Sequence, residues 1–151
     1  MIEVRIAVAA DVPELVRLRG VMLGGAEAGA WQDAAAATMR DRMAGGSMAA
    51  FVADREGGGL AACAAGLVEQ RFADPGNPSG EAGYILNVAT DPDQRRRGLS
   101  RACMTALIAW YADRGVTRIG LAATPEGEPL YRQLGFRPST GHAALGLSLR
   151  S

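Results

Sequence analysis

The sequence of 151 residues contains no lysine: all 16 basic residues are arginine, and 16 acidic residues balance them. Without lysine the chain has no phosphate-binding P-loop, which needs a Gly-Lys-Ser/Thr core, and no side-chain amine for Schiff-base catalysis. A formal net charge of zero also argues against a broad electrostatic attraction to nucleic acid or to a membrane surface. Any anion that binds this chain must therefore be held by a local arrangement.

Cysteines, aromatic residues and long apolar runs are also scarce. Cys63 and Cys103 lie in apolar runs without a Cys-x-x-Cys spacing, so we expect buried free thiols, a reducing compartment and no metal site. Aromatic residues make up 5% of the chain, which is few for the stacking platforms of single-strand nucleic-acid binders. The opening "MIEVRIAVAAD" lacks the pattern of a secretory signal, and no run approaches the ~20 apolar residues of a membrane span. We therefore expect a cytoplasmic protein with neither nucleic acid nor a membrane as partner.

What the chain does have is an ordinary globular composition, with 48% hydrophobic and 21% charged residues. A chain of this length can bury roughly 68–70% of its unfolded surface, which is enough for one core. The sequence shows no internal repeats and no long linker. Residues 1–151 are therefore predicted to form a single α/β domain.

Alternation and helical periodicity predict the order of the elements. The first half is predicted as a half-buried strand over 2–8 with Ile2, Val4, Ile6 and Val8 on one face, a helix capped by Asp11 with Glu14 three residues on, a helix from Trp31 to Met43, and a hairpin of strands 48–54 and 60–70. The second half is predicted as a strand over 82–90, a helix from Leu99 to about Arg114, a strand over 116–123, a short helix from near Glu128, and a last strand over 142–149.

The helix that starts at Leu99 begins with charges of the wrong sign. Residues 95–97 are all arginine and Arg101 follows one turn later, although the first turn of a helix already carries partial positive charge and unpaired N–H groups. Each exposed cation there should cost about 0.3–1 kcal/mol. A polar turn after an apolar strand, with Gly98 leaving the backbone open and arginines beside it, is typical of a phosphate cradle. The alternative is a solvated run of charges, but the placement favours a phosphate site.

Residues 95–100, Arg-Arg-Arg-Gly-Leu-Ser, resemble the acyl-CoA signature of the GNAT superfamily of N-acetyltransferases. That signature has Gln or Arg, two residues, Gly, one residue, and then Gly or Ala. Arg95 fills the first slot and Gly98 the central one, while Ser100 departs from the last and adds a hydroxyl near the expected pyrophosphate. The stretch "PLYRQLGF" at 129–136 resembles the second signature of the family, a short helix with a tyrosine that ends in Leu-Gly-Phe. The order of strands and helices is similar over the whole chain.

The resemblance implies an α/β fold of the α+β kind: a mixed, mainly antiparallel central sheet with flanking helices, whose fourth and fifth strands splay apart. It also implies acetyl-CoA as the acyl donor, with no metal ion. Pantetheine would lie along the strand before the first signature, and the N–H groups of residues 96–101 would hold the pyrophosphate. The expected cofactor-binding residues are Asn87, Val88, Ala89, Thr90, Arg95, Arg96, Arg97, Gly98, Leu99, Ser100 and Arg101.

Acyl transfer from a thioester to an amine needs aligned substrates, a neutral amine and a proton for the departing thiolate. Alignment alone can supply on the order of 7–11 kcal/mol. By the resemblance, Tyr131 is the proton donor, since a phenol can hydrogen-bond a thiolate. Glu81, at the entrance to its strand, is the candidate general base, directly or through water, and Glu69 is a second candidate; either also fits as a solvated carboxylate at a strand end. The turn at 124–127, Thr-Pro-Glu-Gly, departs from the family, which often has an asparagine there.

The predicted function is the transfer of an acetyl group from acetyl-CoA to a primary amine by direct attack in a ternary complex. A non-catalytic domain that binds acyl-CoA as a sensor is the alternative, which Ser100 and the missing asparagine leave open. A nucleic-acid module built on the arginine run is a third hypothesis, and the zero net charge argues against it. The acceptor, a small-molecule or peptide amine, is not identified by the sequence, and the resemblance is compatible with a homodimer.

Overall fold

The computed structural model of the chain describes residues 2–139 and 144–149. Within these residues, five strands form one sheet in the order β1-β2-β3-β4-β5. The strands are β1 (Arg5–Ile6), β2 (Met48–Asp54), β3 (Leu60–Gln70), β4 (Glu81–Thr90) and β5 (Ile119–Leu121). The first four strands pair antiparallel, and β5 runs parallel to β4. This mixed, mainly antiparallel sheet with flanking helices confirms the predicted fold class.

Helices cover both faces of the sheet. They are α1 (Val12–Met22), α2 (Ala30–Gly45), α3 (Leu99–Asp113) and α4 (Glu128–Gln133). The buried residues of α1 and α2, such as Leu15 and Met39, form one apolar cluster with the sheet, and those of α3, such as Leu107 and Tyr111, form another. Both clusters remove apolar side chains from water, which is the main favourable contribution to folding. No helix in the described residues is long and apolar enough to cross a membrane.

The central elements lie close to their predicted positions. The β2–β3 hairpin has the predicted bounds, α3 begins at Leu99, and β5 is shorter than the predicted 116–123. The helix α4 begins at Glu128, so Pro129 lies in its first turn, where proline removes no helical hydrogen bond.

The first strand is shorter than predicted, and both of its residues are exposed. Ile2, Ile6 and Val8 are 40%, 49% and 54% exposed, whereas Ala7 is 7% exposed and its N–H donates to the carbonyl of Ala50 at 2.8 Å. The predicted apolar face is therefore wrong at Ile2, Ile6 and Val8, whereas Val4 packs against the α3 cluster. Because β1 lies at the edge of the sheet and pairs over two residues with β2, few contacts fix its register, and a shift of one residue exchanges the two faces.

The last predicted strand is not formed over its described part. Residues 142–143 lie outside the described residues, and residues 144–149 belong to no strand. Leu145, Leu147 and Leu149 are 92%, 86% and 87% exposed. The alternation of leucines predicts a strand, but a strand also needs a neighbour for its N–H and C=O groups, and these residues pair with none of the described strands.

Candidate active site

A cleft opens where β5 stops pairing with β4. The parallel register runs from Gly83–Ile119 to Ile85–Leu121, and β4 continues to Thr90 beyond the end of β5. The cleft beside this second half of β4 has a volume of about 760 Å³; we call it the splay cleft. The predicted separation of the fourth and fifth strands is thereby confirmed.

A β-bulge marks the same point on β4. On β3, Gly66 lies opposite Ile85 and Ala65 lies opposite Asn87, so Leu86 is an extra residue without its own partner position. A bulge bends the strand and increases its local twist. The bulge therefore coincides with the residue at which β4 leaves β5 and begins to border the splay cleft.

The arginine-rich turn closes one end of the splay cleft. After β4 and a short 3₁₀ turn at Pro92–Gln94, both Arg96 (φ 65°) and Gly98 (φ 75°) adopt left-handed backbone conformations. Such residues within a turn direct N–H groups to one side. Ala102 donates to the carbonyl of Gly98 at 3.1 Å, so the N–H groups of residues 99–101 precede the helical hydrogen bonds. The first turn of α3 holds no acidic residue, and the backbone has the form of an anion cradle.

Most residues predicted to bind the cofactor line the splay cleft. They are Val88, Ala89, Thr90, Arg95, Arg96, Gly98, Leu99, Ser100 and Arg101. The side chains of two others lie elsewhere. Asn87 is fully buried with its amide nitrogen 3.5 Å from the carbonyl oxygen of Leu15, because side chains alternate between the faces of a strand. Arg97 turns back to donate to Oε1 of Gln94 at 2.6 Å.

The hydroxyl of Ser100, the departure from the family signature, has a partner inside the protein. Its Oγ lies 2.5 Å from Oγ1 of Thr90, where β4 and α3 approach each other. The extra oxygen is therefore used to join the strand to the helix. The only sequence signal for this contact is a threonine ten residues before the serine. That spacing predicts a contact only when β4 and α3 are already known to be neighbours.

Tyr131 reaches the splay cleft from α4. It is half-buried, and its ring packs edge-on against Phe136 with 6.2 Å between centroids. Burial raises the pKa of the Tyr131 phenol above its ordinary value of 10, because it disfavours the charged phenolate. A Cβ atom at Gly127 would lie 2.9 Å from this ring. Tyr131 therefore stands at the cleft as a protonated phenol.

The sequence missed several residues that line the splay cleft. They are Val21 and Met22 of α1, Gln94, and Thr124, Glu126, Gly127 and Leu130 in and around the turn before α4. Thr124 shapes that turn: its carbonyl accepts hydrogen bonds from the N–H groups of Gly127 (3.1 Å) and Glu128 (3.0 Å). No local pattern links α1 to the cleft, because that contact joins segments more than sixty residues apart in the chain.

Glu81, the predicted general base, lies at the other end of β4. Its Oε2 is 3.9 Å from Nη2 of Arg114, and it does not line the splay cleft. Five residues of strand separate it from the bulge, which is about 17 Å. Glu69, the second candidate, pairs with Arg71 at 3.2 Å. The carboxylate that does line the cleft is Glu126, so the structure does not bring Glu81 to the tyrosine.

A buried carboxylate fixes the start of the cradle. Asp91, the residue after β4, is 4% exposed and accepts hydrogen bonds from Arg17 of α1 (2.8 and 2.9 Å) and Arg55 of the β2–β3 turn (2.6 Å). Arg55 also donates to both carboxylate oxygens of Asp93 at 2.8 Å. The hydrogen bonds from Arg17 and then Arg55 hold the pKa of Asp91 below its ordinary value of 3.8. This ion network ties the cradle to α1 and to the hairpin.

Glu14 belongs to the same ion network. Its predicted role, to cap the start of α1 together with Asp11, is wrong. The Glu14 carboxylate accepts from the Leu60 N–H at 2.8 Å and pairs with Arg17 at 2.7 Å. Asp11, at the start of α1, accepts from the Val8 N–H at 2.8 Å. Glu14 therefore connects α1 to β3 and does not complete a capping box.

The cysteines are structural. Cys63 and Cys103 are buried and free, and burial raises the pKa of each thiol to about 12. Neither is a thiolate nucleophile at neutral pH. Across residues 2–139 and 144–149, no group of three or more His, Cys, Asp or Glu side chains is placed to hold a metal ion.

Comparison with known sequences gives a family. The family model described as "Acetyltransferase (GNAT) family" matches residues 17–136. Over 59 residues the chain is 39% identical to the ribosomal protein bS18-alanine N-acetyltransferase of Escherichia coli K12. That match covers 37% of this chain and 40% of the relative, so the chain is similar to less than half the length of that enzyme.

Comparison with solved structures extends the likeness to nearly the whole chain. A GCN5-related N-acetyltransferase from Ralstonia eutropha JMP134 has a TM-score of 0.80 at 30% identity, covering 96% of this chain and 98% of its own. A predicted acetyltransferase from Clostridium acetobutylicum, solved with acetyl-CoA, has a TM-score of 0.85 at 23% identity, covering 97% and 96%. The second likeness concerns the fold alone.

Proposed function

The chain belongs to the GNAT family of acetyltransferases, and we propose that it transfers the acetyl group of acetyl-CoA to a primary amine by direct attack in a ternary complex. The observation that carries this proposal is the meeting of an anion cradle and a protonated tyrosine at one cleft. The N–H groups at the start of α3 would hold the pyrophosphate. The second half of β4, free on its β5 side, would pair with the pantetheine amides as with an added strand.

The proposed chemistry assigns one bond change to each group. The neutral amine nitrogen attacks the thioester carbonyl carbon, a C–N bond forms, and the C–S bond breaks. The departing thiolate takes its proton from Tyr131, whose burial keeps the phenol protonated. The amine proton leaves through water. Its acceptor is either Glu126, which lines the cleft, or Glu81 at the far end of β4. The variant of the true acceptor, Glu126→Gln or Glu81→Gln, should lower kcat, and the other should not.

The acceptor is proposed to be a small-molecule or peptide amine. The E. coli relative acts on an alanine of a ribosomal protein, which supports an amino group as the nucleophile.

The test begins with thermal unfolding in the presence of acetyl-CoA, desulfo-CoA, ATP or a short oligonucleotide, each at several salt concentrations. A ligand at 100 times its dissociation constant should stabilise the fold by about 2.7 kcal/mol. We expect acetyl-CoA and desulfo-CoA to raise the melting temperature and the other two to leave it unchanged. A shift with the oligonucleotide that disappears at high salt, and none with acetyl-CoA, would contradict the proposal.

A matched pair of glycine variants isolates the cradle. Gly98 (φ 75°) and Gly115 (φ 83°) have similar left-handed backbones, and a Cβ atom would meet nothing closer than 3.5 Å at either. Alanine should therefore cost both sites similar stability. We expect Gly98→Ala alone to weaken acetyl-CoA binding, and equal binding by the two variants would argue against the cradle.

A further inference from the structure

A second cavity lies between α2 and the sheet. It has a volume of about 320 Å³, which is the lower end of the range for small-molecule sites. Its walls are mostly apolar and include Ala35 and Met39 of α2, Met48 of β2, Leu67 of β3 and Leu86 of β4. We call it the α2 cavity.

The α2 cavity and the splay cleft are lined by neighbouring residues of the same two elements, α1 and β4. On α1, Arg19 lines the cavity and Met22 lines the cleft; on β4, Leu86 lines the cavity and Val88 lines the cleft. These pairs are about one helical turn and two strand residues apart, or about 5 and 7 Å. A ligand with its body in the α2 cavity would therefore place a group about 5–7 Å away at the second half of β4.

The charges around the α2 cavity select the ligand. Arg19 is the charged residue in its described wall, and no carboxylate lines it. One guanidinium N–H of Arg19 donates to the carbonyl of Leu86 at 3.3 Å, which holds the group at the bulge. An ammonium group in this cavity would be desolvated beside the Arg19 guanidinium, with no carboxylate in the described wall to pair with it. A carboxylate in this cavity would instead find the remaining N–H donors of the Arg19 guanidinium.

We propose, on the basis of the function proposed above, that the acceptor is an apolar α-amino acid. Its side chain occupies the α2 cavity, its carboxylate binds Arg19, and its amino group points to the splay cleft. The cavity thus disfavours polycationic amines. Arg19 is a substrate-binding residue in this arrangement, and the bulge at Leu86 positions it.

The first measurement is the rate of acetyl-CoA-dependent thiol release with leucine, methionine, glycine, lysine, leucinamide and spermidine. Because an apolar pocket distinguishes one methylene by about 10–200-fold, we expect leucine and methionine to exceed glycine, lysine and spermidine by at least about tenfold in kcat/KM. Leucinamide should fall by a similar factor because it lacks the carboxylate. Spermidine as the best substrate, or equal rates with leucine and leucinamide, would overturn the proposal.

Two variants, Ala34→Met and Arg19→Gln, test the proposed contacts with the side chain and the carboxylate of the substrate. Each has a control variant on α2. Ala34 lines the α2 cavity and Ala37 does not, and both are exposed, so Ala34→Met should lower kcat/KM for leucine while Ala37→Met leaves it unchanged. Arg19→Gln should remove the preference for leucine over leucinamide, with Arg40→Gln as the exposed control. If Arg19→Gln lowers kcat/KM for leucine and leucinamide equally, Arg19 does not bind the carboxylate as proposed.

Binding separates this proposal from the acetyltransferase proposal. Leucine should bind by calorimetry to the protein saturated with desulfo-CoA, and Ala34→Met should weaken that binding. Leucine binding without turnover of any amine would support the α2 cavity as the leucine site and contradict the proposed acetyl transfer. Turnover of another amine without leucine binding would support acetyl transfer and contradict the α2 cavity as the acceptor site.

Discussion

The two halves of β4 have opposite surroundings. Residues 81–85 pair with β3, and 83–85 pair with β5 as well; a Cβ atom at Gly83 would lie 2.6 Å from the ring of Tyr111. Residues 86–90 begin with the bulge residue Leu86 and extend beyond β5, and residues 88–90 line the splay cleft. One strand thus supplies dense packing at one end and an open backbone edge at the other. The difference indicates that stability and acetyl transfer depend on different halves, which variants can test.

The largest expected effect is on catalysis at the open half. Tyr131→Phe keeps the ring packed on Phe136 and removes the proposed proton donor, so kcat should fall on the order of 10²–10⁴-fold. Thermal shift with acetyl-CoA should be unchanged. An unchanged kcat would remove Tyr131 from the mechanism and favour another proton donor.

The next largest effect is expected in the ion network around Asp91, the residue that follows β4. Asp91→Ala removes a buried carboxylate that accepts hydrogen bonds from two arginines, and hydrogen bonds to charged groups contribute about 1.5–3 kcal/mol each. We expect the free energy of unfolding in urea to fall by about 2–3 kcal/mol, since both arginines regain water. Acetyl-CoA binding should weaken as well, because Asp91 fixes the start of the cradle. The control is Asp41→Ala, at an exposed site on α2, whose free energy of unfolding should change little.

Asp91 also predicts a dependence on pH. Its folded pKa lies below the ordinary 3.8, so its contribution is fully present above pH ~3.8 and is lost as the pH falls through the folded value. Urea unfolding between pH 5 and pH 3 should show a smaller loss of stability for Asp91→Asn than for the wild type. An equal loss of stability in the two proteins would mean that the ionised Asp91 carboxylate does not stabilise the fold.

A comparable effect on stability alone is expected in the paired half. Gly83→Ala forces a methyl group against the buried Tyr111 ring and should cost about 1–3 kcal/mol of unfolding free energy. Gly120→Ala on β5 meets its nearest atom, in Tyr84, at 3.7 Å, so it is the matched control and should change little. The kcat of the folded Gly83→Ala protein should be unchanged, and a fall in kcat would show that the halves are coupled.

The smallest effect is expected at Ser100. Because its hydroxyl contacts Thr90, Ser100→Ala should cost about 0.5–1.5 kcal/mol of stability and leave the KM for acetyl-CoA within about twofold. A large change in KM would mean that the hydroxyl acts on the pyrophosphate directly.

Much of the fold could be predicted because its signals are local. Alternation and turn residues fixed the bounds of the β2–β3 hairpin, and Pro129 marked the start of α4. The exposure of β1 could not be predicted, since an edge strand of two paired residues takes its register from β2. The leucines at 145, 147 and 149 show the same limit, because alternation alone does not supply a partner strand.

The candidate site divides in the same way. Arginines before a helix, Gly98 at its start and Tyr131 before Leu-Gly-Phe were visible because each is a short-range pattern. Glu81 looked suitable at the entrance to β4, yet pattern alone gives no distance, and it lies about 17 Å from the bulge. Val21 and Met22 line the splay cleft without any sequence signal of their own.

The sequence by itself determined the local character of the turn before α3, which predicts an anion cradle there. Helix polarity, a glycine at positive φ and neighbouring arginines are properties of a few consecutive residues, so they need no distant contact. Tertiary structure decided where the cradle opens and what faces it. The end of β5 pairing, the bulge at Leu86 and the approach of α1 depend on packing between segments far apart in the chain, and they place Tyr131 and the α2 cavity beside the same half of β4.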